Sequence, residues 1–166
     1  MEGGACIFMR GALIAYGDQT RCVWVADSFQ GLPKPNANKY AADSGDDHWT
    51  LNEYLGVPLE QVQSNLARYG LLDDRVKFLK GWFSETLPTA PIERLSILRL
   101  DGDMYESTTD AISALYPKLS IGGFVIVDDH HIPACRSAIH DYRAAQGITD
   151  PMIEIDDNAV YWRRTS

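Results

Sequence analysis

The chain has no block of basic residues. The nearest approach is Arg163-Arg164, against a net charge of −8 and a pI of about 4.8. That excludes the cationic footprint a nucleic-acid backbone requires. No apolar run approaches the ~20 residues that cross a bilayer, so no membrane association is expected. The first residues show no charged-then-apolar leader pattern. Cysteine is scarce: Cys6, Cys22 and Cys135 are odd in number and far apart, with no CxxC spacing. This argues against a disulfide framework and for reduced thiols in a cytoplasmic protein. No GxxxxGK[ST] segment is present, which removes P-loop nucleotide chemistry. Internal repeats and low-complexity segments are lacking too. What is there is an ordinary globular composition, 45% hydrophobic and 23% charged over 166 residues. It predicts one domain, residues 1–166, able to bury about 70% of its unfolded surface.

Two acidic clusters stand out, each where a buried strand should end. Leu98 to Asp103 reads Leu-Arg-Leu-Asp-Gly-Asp, and Val125 to Asp129 reads Val-Ile-Val-Asp-Asp, followed by His130 and His131. The segment between them, Tyr105 to Ser120, has a helical apolar face at Ala111, Ile112, Leu115 and Leu119. Gly122-Gly123 is expected to turn it into the next strand. A strand–helix–strand unit makes its strands parallel, so both clusters should emerge at one C-terminal sheet edge, where open α/β sheets bind ligands.

The rest of the chain fits the same class. A helical pattern over Ala5 to Tyr16 stops at Gly17, and Val23 to Ala26 is a strand tipped by Asp27. A polar, Pro- and Asn-rich stretch from Gly31 to Asp47 is long enough for an active-site lid. Within it the Asp43, Asp46 and Asp47 run reads as solvated loop. Pro58 opens a second helix, Val76 to Leu79 is a strand, and Leu95 to Leu100 precedes the first acidic cluster. Pro133 opens a helix closed by Gly147. Met152 to Ile155 and Ala159 to Trp162 form a terminal antiparallel hairpin. The expected architecture is α/β, a Rossmann-like doubly wound sheet with a C-terminal hairpin. Oddly, the pattern begins with a helix, where a strand should precede Gly3-Gly4.

Four carboxylates gathered at one edge repel one another unless a cation or protons intervene. A hard divalent ion, Mg²⁺ before Ca²⁺, held by Asp101, Asp128 and Asp129, is the economical resolution. Mg²⁺ disfavours nitrogen, so His130 and His131 are expected beside the site rather than as ligands.

Several motifs in order resemble the macrocin O-methyltransferase (TylF-type) family. They are Gly-Gly-Ala-Cys (Gly3 to Cys6), Val-Trp-Val-Ala-Asp-Ser-Phe-Gln-Gly-Leu-Pro (Val23 to Pro33) and Asn-Leu-Ala-Arg-Tyr-Gly-Leu-Leu-Asp-Asp (Asn65 to Asp74). Further on come Gly-Trp-Phe-Ser-Glu-Thr-Leu-Pro (Gly81 to Pro88), Leu-Asp-Gly-Asp-Met-Tyr-Glu-Ser-Thr (Leu100 to Thr108), Val-Asp-Asp (Val127 to Asp129) and the closing Tyr-Trp-Arg-Arg. The resemblance implies a class I methyltransferase that uses S-adenosylmethionine and Mg²⁺ to methylate a sugar hydroxyl of a glycosylated natural product. It implies that Asp27 accepts the ribose hydroxyls, that Ser28 and Phe29 flank the adenosine, and that Gly81, Trp82 and Phe83 form the adenine site. Gly3 and Gly4 permit close approach of the cofactor, and Asp103 is the general base. The family's first strand precedes Gly3, so the chain reads as an N-terminally truncated form. An unfilled sheet centre would then favour self-association or strand donation. Two alternatives stay open: a methyltransferase relic that keeps fold and metal affinity without turnover, and a haloacid-dehalogenase-type phosphatase with Asp101 as nucleophile.

Overall fold

The computed structural model describes residues 2–166; Met1 lies outside them. The described residues divide into two compact units, one of residues 2–33 and 47–86, the other of 34–46 and 87–166.

In the first unit, helix α1 (Gly4–Ala15) leads into strand β1 (Val23–Asp27). Short helix α2 (Asn52–Leu55) and helix α3 (Leu59–Arg68) cross over to β2 (Val76–Lys80), and the four-residue helix α4 (Phe83–Thr86) follows. β1 and β2 pair in parallel, from Val23 opposite Val76 to Asp27 opposite Lys80. Pro58 caps α3 from outside, where its missing N–H costs nothing. The α3 apolar positions Val62 and Leu66 pack with Val23, Val25, Phe29 and Val76 to form this unit's core. Arg10 of α1 is buried and is held by the Asp73 carboxylate.

The second unit is a four-stranded sheet in the order β3-β4-β6-β5. Its elements are β3 (Leu95–Leu100), helix α5 (Tyr105–Leu115), β4 (Leu119–Val127), helix α6 (Pro133–Gln146), β5 (Ile153–Glu154) and β6 (Val160–Arg163). β3 and β4 are parallel, as the strand–helix–strand pattern predicts, and the last two strands are antiparallel. Alternation sends Leu98, Leu100, Val125, Val127, Val160 and Trp162 to one face, where they are buried. Helices α5 and α6 supply buried Ile112, Leu115, Ala138 and Ile139. Among the described residues, β1 pairs only with β2, and β3 only with β4.

One boundary differs from the sequence pattern. Leu119 and Ser120 belong to β4 rather than to the preceding helix, which ends in a 3₁₀ turn at Tyr116–Lys118. The Gly122-Gly123 pair lies inside the strand, not in a turn before it. The register jumps there: Leu95 pairs with Leu119, but Ile97 pairs with Phe124. Gly122 takes φ +85°, and a Cβ on Gly123 would lie 2.9 Å from the Ser96 and Ser120 carbonyl oxygens. The glycines accommodate a bulge, which requires a positive φ and close backbone approach.

Candidate functional site

In the second unit, the parallel pairing of Leu100 with Val127 delivers both acidic clusters to the same strand ends. The Asp128 N–H donates to the Leu100 carbonyl at 3.0 Å, extending the ladder one step beyond the strands. Asp101, Asp128 and Asp129 each bring a carboxylate oxygen within 4.8 Å of the others. These are the three residues expected as metal ligands. An all-oxygen donor set at this spacing suits a hard divalent cation.

Asp103 takes φ +54°, a left-handed conformation unusual for a residue other than glycine. Its N–H points back at Asp129, 3.3 Å from Oδ2. The turn therefore carries Asp103 to the same cluster, two residues after Asp101. Burial, followed by the Asp103 and Asp101 charges, pushes the Asp129 pKa up to about 7, while the Asp103 N–H bond acts in the opposite sense. The site thus concentrates negative charge in a partly buried place. His130 and His131 follow directly. The His130 ring lies 5.7 Å from that of His140, and burial together with His140 and Arg136 lowers its pKa.

Two participants escape the motif reading. The first is Arg99, whose Nη1 donates to Asp101 Oδ2 at 2.7 Å and whose Nη2 donates to Asp128 Oδ2 at 2.6 Å. Strand periodicity carried the signal, because Arg99 shares a face with the position of Asp101, opposite buried Leu98 and Leu100. The second is Asp43, expected in solvated loop and found fully buried, at 0% exposure. Its carboxylate accepts the Tyr105 N–H at 2.7 Å and the Glu106 N–H at 3.0 Å. Met104, the residue before α5, provides no side-chain cap. Asp43 caps the helix from 62 residues away, because the orphan N–H groups and positive end of a helix favour a carboxylate. The Tyr40 and Tyr105 rings, 5.2 Å apart, and a Lys39–Glu106 ion pair at 2.7 Å fasten the same segment.

The residues expected to hold the cofactor all lie in the first unit. Asp27 ends β1, and its Oδ1 accepts the Phe29 N–H at 2.7 Å. No hydrogen bond among the described residues falls on its Oδ2. Ser28 is buried, donating to the Gly31 carbonyl at 2.6 Å and accepting from the Gln30 N–H at 3.1 Å. Phe29 is a core residue at φ +58°. Gly81 follows β2 at φ +143°, and its N–H donates to the Asp27 carbonyl at 3.0 Å, which ties the two strand tips together. Trp82 and Phe83 are half-buried at the start of α4 and do not belong to the core. Gly3 caps α1 at φ +85°, with Val62 Cγ1 2.9 Å from where a Cβ would stand, so its glycine is explained by local packing. Gly4, the first α1 residue, has nothing within 4 Å of an added Cβ.

The macrocin-O-methyltransferase (TylF) family model matches residues 1–164. The chain is 58% identical over 165 residues to the 8-demethyl-8-(2,3-dimethoxy-alpha-L-rhamnosyl)-tetracenomycin-C 4'-O-methyltransferase of Streptomyces olivaceus, a match covering 99% of this chain and 63% of that protein. It is 54% identical over 167 residues to the mycinamicin III 3''-O-methyltransferase of Micromonospora griseorubida, covering 99% and 66% respectively. It therefore spans less than two thirds of the length of these curated relatives. The solved structure of the O-methyltransferase NovP superposes with a TM-score of 0.97 at 51% identity, covering 99% of this chain and 69% of that one. The calicheamicin methyltransferase CalS11, at 20% identity and a TM-score of 0.74, shares the fold. A match of this extent leaves no place for the phosphatase alternative. The chain belongs to the macrocin-O-methyltransferase (TylF) family, with its α/β methyltransferase fold.

Proposed function

We propose that the chain is an S-adenosylmethionine-dependent, Mg²⁺-assisted O-methyltransferase of the cytoplasm that acts on a sugar hydroxyl of a glycosylated natural product. The observation that carries this reading is the convergence of Asp101, Asp128 and Asp129 within 4.8 Å, with Asp103 turned back onto Asp129. The relatives' names support the acceptor class, since one acts on a rhamnosyl tetracenomycin and another on mycinamicin III.

A sugar hydroxyl is a weak nucleophile, so the chemistry needs an activated methyl, a way to lower the hydroxyl pKa and a base. When bound, the cofactor supplies the sulfonium methyl and Mg²⁺ the positive charge that makes the hydroxyl more acidic. The remaining tasks fall to the chain's own residues. Asp101, Asp128 and Asp129 would hold the cation. The Asp103 carboxylate would take the proton of the acceptor hydroxyl, a role typically worth ~10²–10⁴ in rate. The Asp27 Oδ2 would accept from the ribose of the cofactor, while Oδ1 stays committed to its own turn. Gly81 would let backbone approach the adenine, and Trp82 and Phe83 would supply aromatic surface for it. Gly4 offers a side-chain-free surface at the start of α1, and Gly3 shapes the turn before it.

Calorimetric titration with S-adenosylmethionine tests the cofactor half of this reading. The expected result is saturable binding, weakened at least about tenfold by Asp27→Asn, a loss of roughly 1.4 kcal/mol. A chain that binds Mg²⁺ but no S-adenosylmethionine would be a relic that keeps only the metal site. Equal binding by the wild-type and Asp27→Asn proteins would remove Asp27 from the ribose role.

A further inference from the structure

We propose that Arg99 is the resident counter-cation of the acidic cluster, holding Asp101 and Asp128 in place of a divalent ion and competing with that ion for them. The competition rests on the metal reading above; the counter-cation role rests on geometry alone. Arg99 lies near the end of β3, between buried Leu98 and Leu100, and its side chain leaves on the opposite face. The guanidinium forks between two different carboxylates, at 2.7 Å to Asp101 and 2.6 Å to Asp128. Charge-assisted bonds of this length are the strong kind, and the planar guanidinium aims separate N–H donors in fixed directions at the two acceptors, where a lysine ammonium is a compact point charge on a flexible stem. Asp101 and Asp128 are two of the three residues that bring oxygens within 4.8 Å of one another. One guanidinium thus already partly neutralises the group that a metal would neutralise.

Two consequences follow, of opposite sign. Without metal, Arg99 offsets carboxylate repulsion and stabilises the fold. With metal, its positive charge faces a divalent ion across shared ligands, and both cannot have the full attraction of Asp101 and Asp128. The arrangement sets metal affinity below what the carboxylates alone would give. It also keeps the strand ends ordered when the metal is away.

The test compares wild type with Arg99→Met, Arg99→Lys, Asp128→Asn and the Arg99→Met/Asp128→Asn double variant. Thermal unfolding is followed with and without Mg²⁺, and Mg²⁺ is titrated by calorimetry. Arg99→Met should lower the metal-free Tm by about 3–6 °C and tighten Mg²⁺ binding about three- to tenfold. Its Mg²⁺-induced rise in Tm should exceed that of wild type. Adding Asp128→Asn should restore part of the lost metal-free stability, because one uncompensated charge is gone. Arg99→Lys keeps the charge without the fork and should fall between wild type and Arg99→Met; it serves as the variant of record if Arg99→Met does not fold. Mg²⁺ binding unchanged or weakened in Arg99→Met would overturn the competition and make Arg99 a scaffold for its ligands. Absence of any Mg²⁺ response in wild type would overturn the metal reading and the competition together. The counter-cation role would then be decided by the metal-free Tm series, and an Arg99→Met value equal to wild type would overturn it.

Discussion

Asp43 and Asp129 are both buried carboxylates of the second unit, and burial raises the pKa of both. Their surroundings make them opposites. Asp43 accepts two N–H groups at the start of α5, donors that the helix itself leaves unsatisfied. Asp129 receives one long N–H bond and faces the Asp101, Asp103 and Asp128 charges. The first carboxylate completes a helix; the second is held in a place that works against its charge. Where a buried acid is matched by backbone donors it serves the fold, and where it is crowded by like charges it points to a cation or a proton. The N–H groups they accept belong to near neighbours in the chain, Asp103 for Asp129 and Tyr105 and Glu106 for Asp43, so the helix cap and the acidic cluster meet at the turn that opens α5.

The sharpest way to break this contrast is to alter the cluster's proposed base while leaving the cap intact. Asp103→Asn should reduce methyl transfer by ~10²–10⁴-fold, while Mg²⁺ and S-adenosylmethionine affinities stay within about threefold, under ~1 kcal/mol. Turnover retained to within a few-fold, measured with a deoxysugar glycoside acceptor, would move Asp103 out of that role. Next in size is the cap. Asp43→Ala strands two buried helix donors and should cost about 2 kcal/mol in urea unfolding. If Asp129→Asn proved equally destabilising in the metal-free protein, the contrast between the two acids would collapse.

A smaller effect concerns the cation. Asp128→Asn should weaken Mg²⁺ binding at least about tenfold, since a ligand charge is lost. Asp43→Asn should leave it within about twofold, because Asp43 contacts helix N–H groups and not the cluster. Equal losses in calorimetry would mean that the cap and the cluster act as one unit. The smallest expected effect is on pH dependence. The Asp129 pKa is raised from 3.8 to about 7, so the folded state holds a proton that the unfolded state has released. In that window the native protein binds more protons than the unfolded one, and its metal-free stability falls as pH rises from about 4 to 7. Asp129→Asn should flatten this slope relative to wild type. Parallel slopes in the two proteins would show that Asp129 ionises as an ordinary surface acid.

Much of this was legible from local pattern. The apolar runs ending in Asp101 and Asp128, separated by a helical segment, imply parallel strands, and the structure pairs Leu100 with Val127 as that logic requires. Pro58, Pro133 and Gly147 mark helix limits by their own backbone chemistry. Asp43 was not legible, because three acids within five residues of a Pro- and Asn-rich stretch look solvated. Its partner lies 62 residues on, and composition cannot report so distant a donor. Nor was the Gly122-Gly123 bulge readable, since a glycine pair between helix and strand reads equally well as a turn. Pairing with β3 is what made it part of the strand.

The sequence by itself determined the class of fold, the order of its elements and the two strand ends at which acids accumulate. These follow from the period of the apolar residues and the intrinsic limits of proline and glycine, which act over a few neighbours. Only the tertiary structure decided which charges meet. Arg99 bridges strands β3 and β4, Asp43 caps a helix far along the chain, and Asp103 turns back onto Asp129 through a left-handed residue. Coulombic and hydrogen-bond energies depend on separation in space, over a few ångströms, and sequence distance carries almost no information about that.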